Sequence, residues 1–265
     1  MKTALTIAGS DCSGGAGIQA DLKTMLANGV YGMSAITSLT AQNTTGVSAI
    51  KNVSSAFLAK QIDSVFEDIT PDAVKTGMIP NKELAETIAD RLGFYGVKNL
   101  VVDPVMISTS GSPLSTAESI MTLTERLTPL ASVITPNSEE AEVLAGMKIN
   151  SREDMIKAAK EIRSVCRCSV LIKGGHSREN ADDILYHNDK IFIFESPKID
   201  NKNTHGTGCT LSSAIACNLA KGMDVPQAVT RAKEYITEAI AAGLNLGHGR
   251  GPLDHGHDIK TKYKI

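Results

Sequence analysis

"NTHGTGCTLSSAIA", residues Asn203 to Ala216, decides how the chain is read. Gly206 and Gly208 flank Thr207 just before a run whose small and apolar residues recur at helical spacing. Such a turn aims successive backbone N–H groups at one point, and the helix start adds the positive end of its dipole. Together they form a cradle for a transferring phosphoryl group. A plain glycine-rich start to a helix would look the same in sequence. Cys209 falls in the first turn, where the dipole favours thiolate, so its pKa is expected to be lowered.

Outward from this turn, short apolar runs alternate with helical patterns. "ALTIAG", "SAITSLTAQ", "SAIKNVS", "DAVKTGM", "NLVVDPVM", "SVITPN" and "SVLIKGG" read as strands, and "DDILYHNDKIFIFES" reads as a hairpin about Asn188 and Asp189. Between them lie amphipathic helices, among them residues 16–29, with Ile18, Leu22, Met25 and Leu26 on one stripe, and residues 116–131. The last two helices are "GCTLSSAIACNLAKG" and "VPQAVTRAKEYITEAIAAGL". The alternation predicts one α/β domain over residues 1–265, with a central, mainly parallel sheet covered by helices on both faces. Ligands of such sheets sit at the C-terminal strand ends.

The residues after the strands are therefore the candidate site: Gly9 to Asp11, Gln42 and Asn43, Gly77 and Met78, Asp103 to Val105, Pro136 and Asn137, and Lys173 to Gly175. "GSDCSGGAG" lacks the G-K-[ST] ending of a phosphate loop and the Rossmann spacing. Its glycines suit either a tight turn or a close backbone approach. Asn137 and Glu140 stand three apart at a helix start. They suit Mg²⁺ or its waters, since hard cations prefer oxygen ligands, and they suit a capping role equally. Lys173 at a strand end is placed to meet phosphate charge.

Composition narrows the classes. The 265 residues are 42% hydrophobic, enough for one large core, and the net charge is −2 with no basic run to mark a nucleic-acid face. Aromatics are 4% with no Trp, which leaves no stacking platform for single strands. No apolar stretch approaches the ~20 residues of a membrane span. The start of the chain turns polar too soon for a signal peptide, so a cytoplasmic protein is expected. The odd count of five cysteines suits reduced thiols, and Cys166 and Cys168 have no second pair at zinc spacing.

In order along the chain, "TIAGSD", "GIQADLKT", "TAQNTTGV", "KTGM", "VDPVM", "TPNSEEAEVL", "LIKGGH" and "NTHGTGCTLSSAIA" resemble the hydroxymethylpyrimidine/phosphomethylpyrimidine kinases of thiamine biosynthesis, in the ribokinase-like superfamily. The resemblance implies two successive ATP-dependent phosphorylations, of the pyrimidine alcohol and then of its monophosphate, in a homodimer. It implies a pyrimidine pocket at Gly9, Asp21, Gln42, Met78 and Val105. Gln42 would donate and accept at once, and Asp21 would take an amino hydrogen. It implies ATP and Mg²⁺ contacts at Asp103, Asn137, Glu140, Lys173 and Thr207. Cys209 falls where many sugar kinases of the superfamily carry an aspartate base.

Some pyridoxal kinases resemble the same pattern and carry the "HGxGC" turn. They also have a lid cysteine soon after "DPVM", where this chain has Ser108 and Thr109. That departure disfavours pyridoxal and leaves pyridoxine, which has no aldehyde, as a side substrate. A non-catalytic pyrimidine sensor would be expected to lose the anion turn, Lys173 or Glu140, and all are present.

Overall fold

The computed structural model describes residues 1–107, 111, 113–174, 182–195, 199 and 201–260. Its strands are β1 (Thr3–Asp11), β2 (Tyr31–Asn43), β3 (Gly46–Asn52), β4 (Ala73–Thr76), β5 (Leu100–Val102), β6 (Val133–Ile134), β7 (Ser169–Ile172), β8 (Asp183–His187) and β9 (Lys190–Phe194). They form one sheet in the order β3-β2-β1-β4-β5-β6-β7-β8-β9. The run from β2 to β7 is parallel; β3 at one edge and β8 and β9 at the other are antiparallel. From β1 the chain steps to β2 on one side and later to β4 on the other. The strand order thus reverses beside β1, the place where open parallel sheets bind ligands.

The helices are α1 (Gly17–Ala27), α2 (Ser55–Phe66), α3 (Lys82–Phe94), α4 (Ala117–Thr122), α5 (Ser138–Ala145), α6 (Arg152–Cys166), α7 (Thr207–Ala220) and α8 (Val225–Ala242). Period-two side-chain alternation lets each central strand feed two apolar layers. Leu100 and Val102 pack with Leu58, Ile88 and Ile162 of α2, α3 and α6. Val101 packs with Ile215 and Val229 of α7 and α8 on the opposite face. α1 completes that second face through Met25, beside Cys217. No helix of the described residues is long and apolar enough to cross a membrane.

The structure departs from the sequence reading at residues 116–131. α4 gives way to a π turn over Leu123–Leu127 and a 3₁₀ turn over Thr128–Leu130. Pro129 has no N–H to donate and its ring crowds a continued α-helix. The hairpin about Asn188 and Asp189 is present, and both residues take the positive φ (48° and 60°) that a tight I′ turn demands.

Candidate active site

The Gly206–Gly208 turn stands at the start of α7. Gly206 is the N-cap residue, at φ 85° in the left-handed region that favours glycine. A Cβ there would collide with the Gly15 carbonyl oxygen, and one at Gly15 would collide with the His205 ring. The glycines of the β1–α1 loop therefore serve close packing against residues 205–206. Thr207 turns its hydroxyl back to the Thr204 carbonyl, which caps the turn. The N–H groups of Gly208 and Cys209 lie in the first turn, where no intrahelical carbonyl is available to them. Both residues are half-buried. A Cβ added at Gly208 would lie 3.2 Å from Lys173 Nζ and 3.6 Å from Asp103 Oδ2.

That contact brings three strand ends to one place. Lys173 Nζ donates to Asp103 Oδ1 at 3.0 Å, and Thr135 and Ser212 hydroxyls lie 3.3 Å from the same carboxylate. Burial alone would discharge Lys173, but the charges of Asp103 and Glu140 outweigh it and hold its pKa above the ordinary lysine value. Asn137 and Glu140 form a complete capping box: Asn137 Oδ1 accepts from the Glu140 N–H and Glu140 Oε2 accepts from the Asn137 N–H, each at 2.8 Å. Glu140 Oε1 also accepts from the Met106 N–H at 3.1 Å. Burial raises the Glu140 pKa, with Lys173 opposing. No group of three or more His, Cys, Asp or Glu side chains among the described residues could hold a metal alone.

Cys209 corrects one expectation. Burial pushes its thiol up to about 11; Lys75 pulls the other way, and Asp21 and Asp103 add to the rise. The helix dipole does not overcome this. Alkylation of Cys209 by iodoacetamide, followed by peptide mass spectrometry, is expected to rise about tenfold per pH unit with no plateau up to about pH 10. A plateau near the ordinary thiol value of about 8.5 would reinstate the dipole account.

Asp21 corrects a second. Its side chain is fully buried and is not open to a ligand: Thr6 (2.6 Å), Ser213 (2.7 Å) and Lys75 Nζ (2.9 Å to both oxygens) occupy its lone pairs. It is the counter-ion of Lys75, which is equally buried. Burial would strip the Lys75 proton, but the neighbouring negative groups, Asp21 foremost, keep it charged.

The remaining pocket candidates gather beside β1. A Cβ at Gly9 would lie 3.1 Å from Met78 Sδ. Ser115 donates to the carbonyls of both Ile79 and Val105 at 3.0 Å, tying the β4 and β5 ends together. Gln42, half-buried, has its amide Nε2 3.0 Å from His205 Nε2. His205 Nε2 also lies 2.8 Å from Asp11 Oδ2. Gly175 and the lid positions Ser108 and Thr109 lie outside the described residues.

Residues 11–254 match the family described as phosphomethylpyrimidine kinase. The chain belongs to that family. It is 48% identical over 258 residues to the hydroxymethylpyrimidine/phosphomethylpyrimidine kinase of Rhizobium meliloti, covering 96% of this chain and 97% of that protein. It is 50% identical over 252 residues to the thiamine biosynthesis bifunctional protein ThiED of Geobacter sulfurreducens, covering 95% of this chain but only 51% of that protein, so it spans about half of that relative's length. An ADP complex of Bacillus subtilis pyridoxal kinase superposes with a TM-score of 0.89 at 41% identity, over 97% of this chain and 98% of that one. The fold is ribokinase-like.

For this family member, residue spacing missed Lys75 and His205, and it included Asp11 only as one of the residues after the first predicted strand. Two of the three left a signal. Lys75 is the one charge inside the strand "AVKT", all four residues of which are buried. Asp11 closes β1 just before a turn, and it caps that turn through the N–H groups of Ser13, Gly15 and Ala16.

Proposed function

We propose that the chain transfers the γ-phosphoryl group of ATP first to the alcohol of hydroxymethylpyrimidine and then to the resulting monophosphate, supplying the diphosphate for thiamine biosynthesis. The observation that carries this reading is the Gly208 position. Backbone N–H groups, a helix start and the Lys173 ammonium converge where a side chain would otherwise stand. Phosphoryl transfer has little covalent chemistry for a protein to do and is accelerated by positioning and charge stabilisation, which these groups supply. They are the same groups for both acceptors, so one site serves both steps.

The donor set fits ATP with Mg²⁺. Asp103 and Glu140 are oxygen donors suited to a hard cation, and each Glu140 oxygen keeps a lone pair beyond its backbone bond. When bound, Mg²⁺ supplies charge neutralisation on the phosphates, with phosphate and water completing its shell. Asn137 and Thr207 flank the same rim. Cys209, protonated, orients the acceptor hydroxyl rather than removing its proton; a loose transition state demands little early deprotonation. Gly9, Met78 and Val105 wall the ring, and Gln42 reads its polar edge. By the same resemblance the chain works as one cytoplasmic kinase domain in a homodimer.

Pyridoxal is the second reading, favoured by the likeness to the Bacillus subtilis enzyme. The test is steady-state phosphorylation of hydroxymethylpyrimidine and of pyridoxal in parallel, resolving mono- from diphosphate. The pyrimidine is expected to have the higher kcat/KM and to pass on to diphosphate. An equal or better pyridoxal value would move the assignment to vitamin B6 salvage.

A further inference from the structure

We propose that Asp11 and His205 fix which way round the Gln42 amide sits, with Oε1 turned to His205 and Nε2 to Thr40, and so set the sense in which Gln42 meets the pyrimidine. The inference rests on the reading of Gln42 as a pocket residue.

Asp11 is an acceptor only. Its Oδ1 takes the Ser13 N–H (2.9 Å) and hydroxyl (2.8 Å), and its Oδ2 takes the N–H groups of Gly15 (3.1 Å) and Ala16 (2.8 Å). Burial works against its charge, but these bonds and the one from His205 prevail and hold its pKa down to about 2. His205 Nε2, 2.8 Å from Oδ2, must therefore carry a hydrogen and donate it. This holds whether the ring is neutral or charged. A ring nitrogen that bears hydrogen has no lone pair left for an amide N–H. The Gln42 atom 3.0 Å away is then its oxygen, sharing the His205 hydrogen with Asp11.

Thr40, at the outer limit of hydrogen-bond distance, fits the same orientation. Its hydroxyl has one hydrogen, spent on the Ser10 carbonyl at 2.9 Å. The other corner of the Gln42 amide lies 3.5 Å from that hydroxyl oxygen, which has lone pairs to offer and no second hydrogen. With Oε1 on His205, that corner is the Nε2 donor. The oxygen and nitrogen of an amide are told apart by such partners. The backbone of Gln42 is pinned as well: its N–H reaches Cys12 Sγ at 3.3 Å, and the thiol returns to its carbonyl at 3.1 Å. An aminopyrimidine offers a donor beside a ring acceptor. It would dock with its amino group on the His205 side of Gln42 and its ring nitrogen on the Thr40 side. Asp11 and His205 are positioning residues in this scheme; neither touches the ring.

Long-range proton–nitrogen spectra of ¹⁵N-histidine-labelled wild-type protein test the orientation directly, with His205 assigned by its loss in His205→Phe. Nε2 is expected to be protonated; an unprotonated Nε2 overturns the proposal whatever the kinetics show, and this arm needs no active variant. In kinetics, Gln42→Leu and His205→Phe should each raise the pyrimidine KM about ten- to hundredfold with the ATP KM little changed. Combined, they should raise it no more than Gln42→Leu alone, because His205 acts through Gln42. Multiplying effects in the double variant would overturn the proposal. An unchanged KM in Gln42→Leu would instead sink the pocket reading, and the docking role with it, even if Nε2 is protonated.

Discussion

Gly208→Val is expected to lower the rate of both phosphorylations by about 10²–10³ while leaving the thermal midpoint within a few degrees of wild type. The first methyl-sized atom at this position meets Lys173 Nζ at 3.2 Å and Asp103 Oδ2 at 3.6 Å. A branched side chain extends further and fills the space where phosphoryl oxygens would meet the Gly208 and Cys209 N–H groups. Removing one preorganised donor from such a cradle typically costs ~10²–10³ in kcat. No buried charge loses its partner, so folding should be spared. Single-turnover kinetics started separately from the alcohol and from the monophosphate would measure each step. Unchanged rates in both would leave Gly206–Gly208 as a helix start and nothing more. A loss in the first step alone would place the turn at the acceptor instead of the donor phosphate.

Asp21→Ala should destabilise the protein by roughly 3–5 kcal/mol, the usual cost of leaving a buried charge without its partner. Lys75 Nζ sits with no solvent exposure and depends on Asp21 for both of its 2.9 Å contacts. Two further donors, Thr6 and Ser213, lose their acceptor at the same time. For a chain of this size the midpoint should fall by about 10 °C. Asp21→Ala combined with Lys75→Met should recover part of the loss, since it removes the unpaired buried charge while Thr6 and Ser213 still lack their acceptor. Thermal melts of the two variants, with pyrimidine KM measured on whatever folds, decide the matter. A stable Asp21→Ala protein with a raised pyrimidine KM would return Asp21 to the pocket wall and refute its assignment as a counter-ion.

Residue order alone determined the alternating α/β architecture, because the periods of strand and helix are local and survive in any window of about ten residues. It placed the Gly206–Gly208 turn at the start of a helix too, since these residues are adjacent to the helical run. The Asn188–Asp189 hairpin and the Asn137–Glu140 capping box belong to the same class. The residues that define each lie at most three positions apart. The burial of Asp21 was half-legible: it stands three after Ile18 and four before Met25, on the buried stripe of α1. Only the tertiary structure showed that Lys75, 54 residues away, meets it there. The thiol of Cys209 is the sharpest case. Its place in the first turn of a helix argues for a lowered pKa, and that argument is local. The opposing contributions are burial and the carboxylates of Asp21 and Asp103, which come from other parts of the chain. Likewise His205 and Gln42 are 163 positions apart, and His205 and Asp11 are 194 apart. Sequence spacing reports neighbours within a turn or two. Desolvation, charge pairing and the direction of a shared hydrogen depend on every group within a few ångströms, and the fold alone chooses those groups.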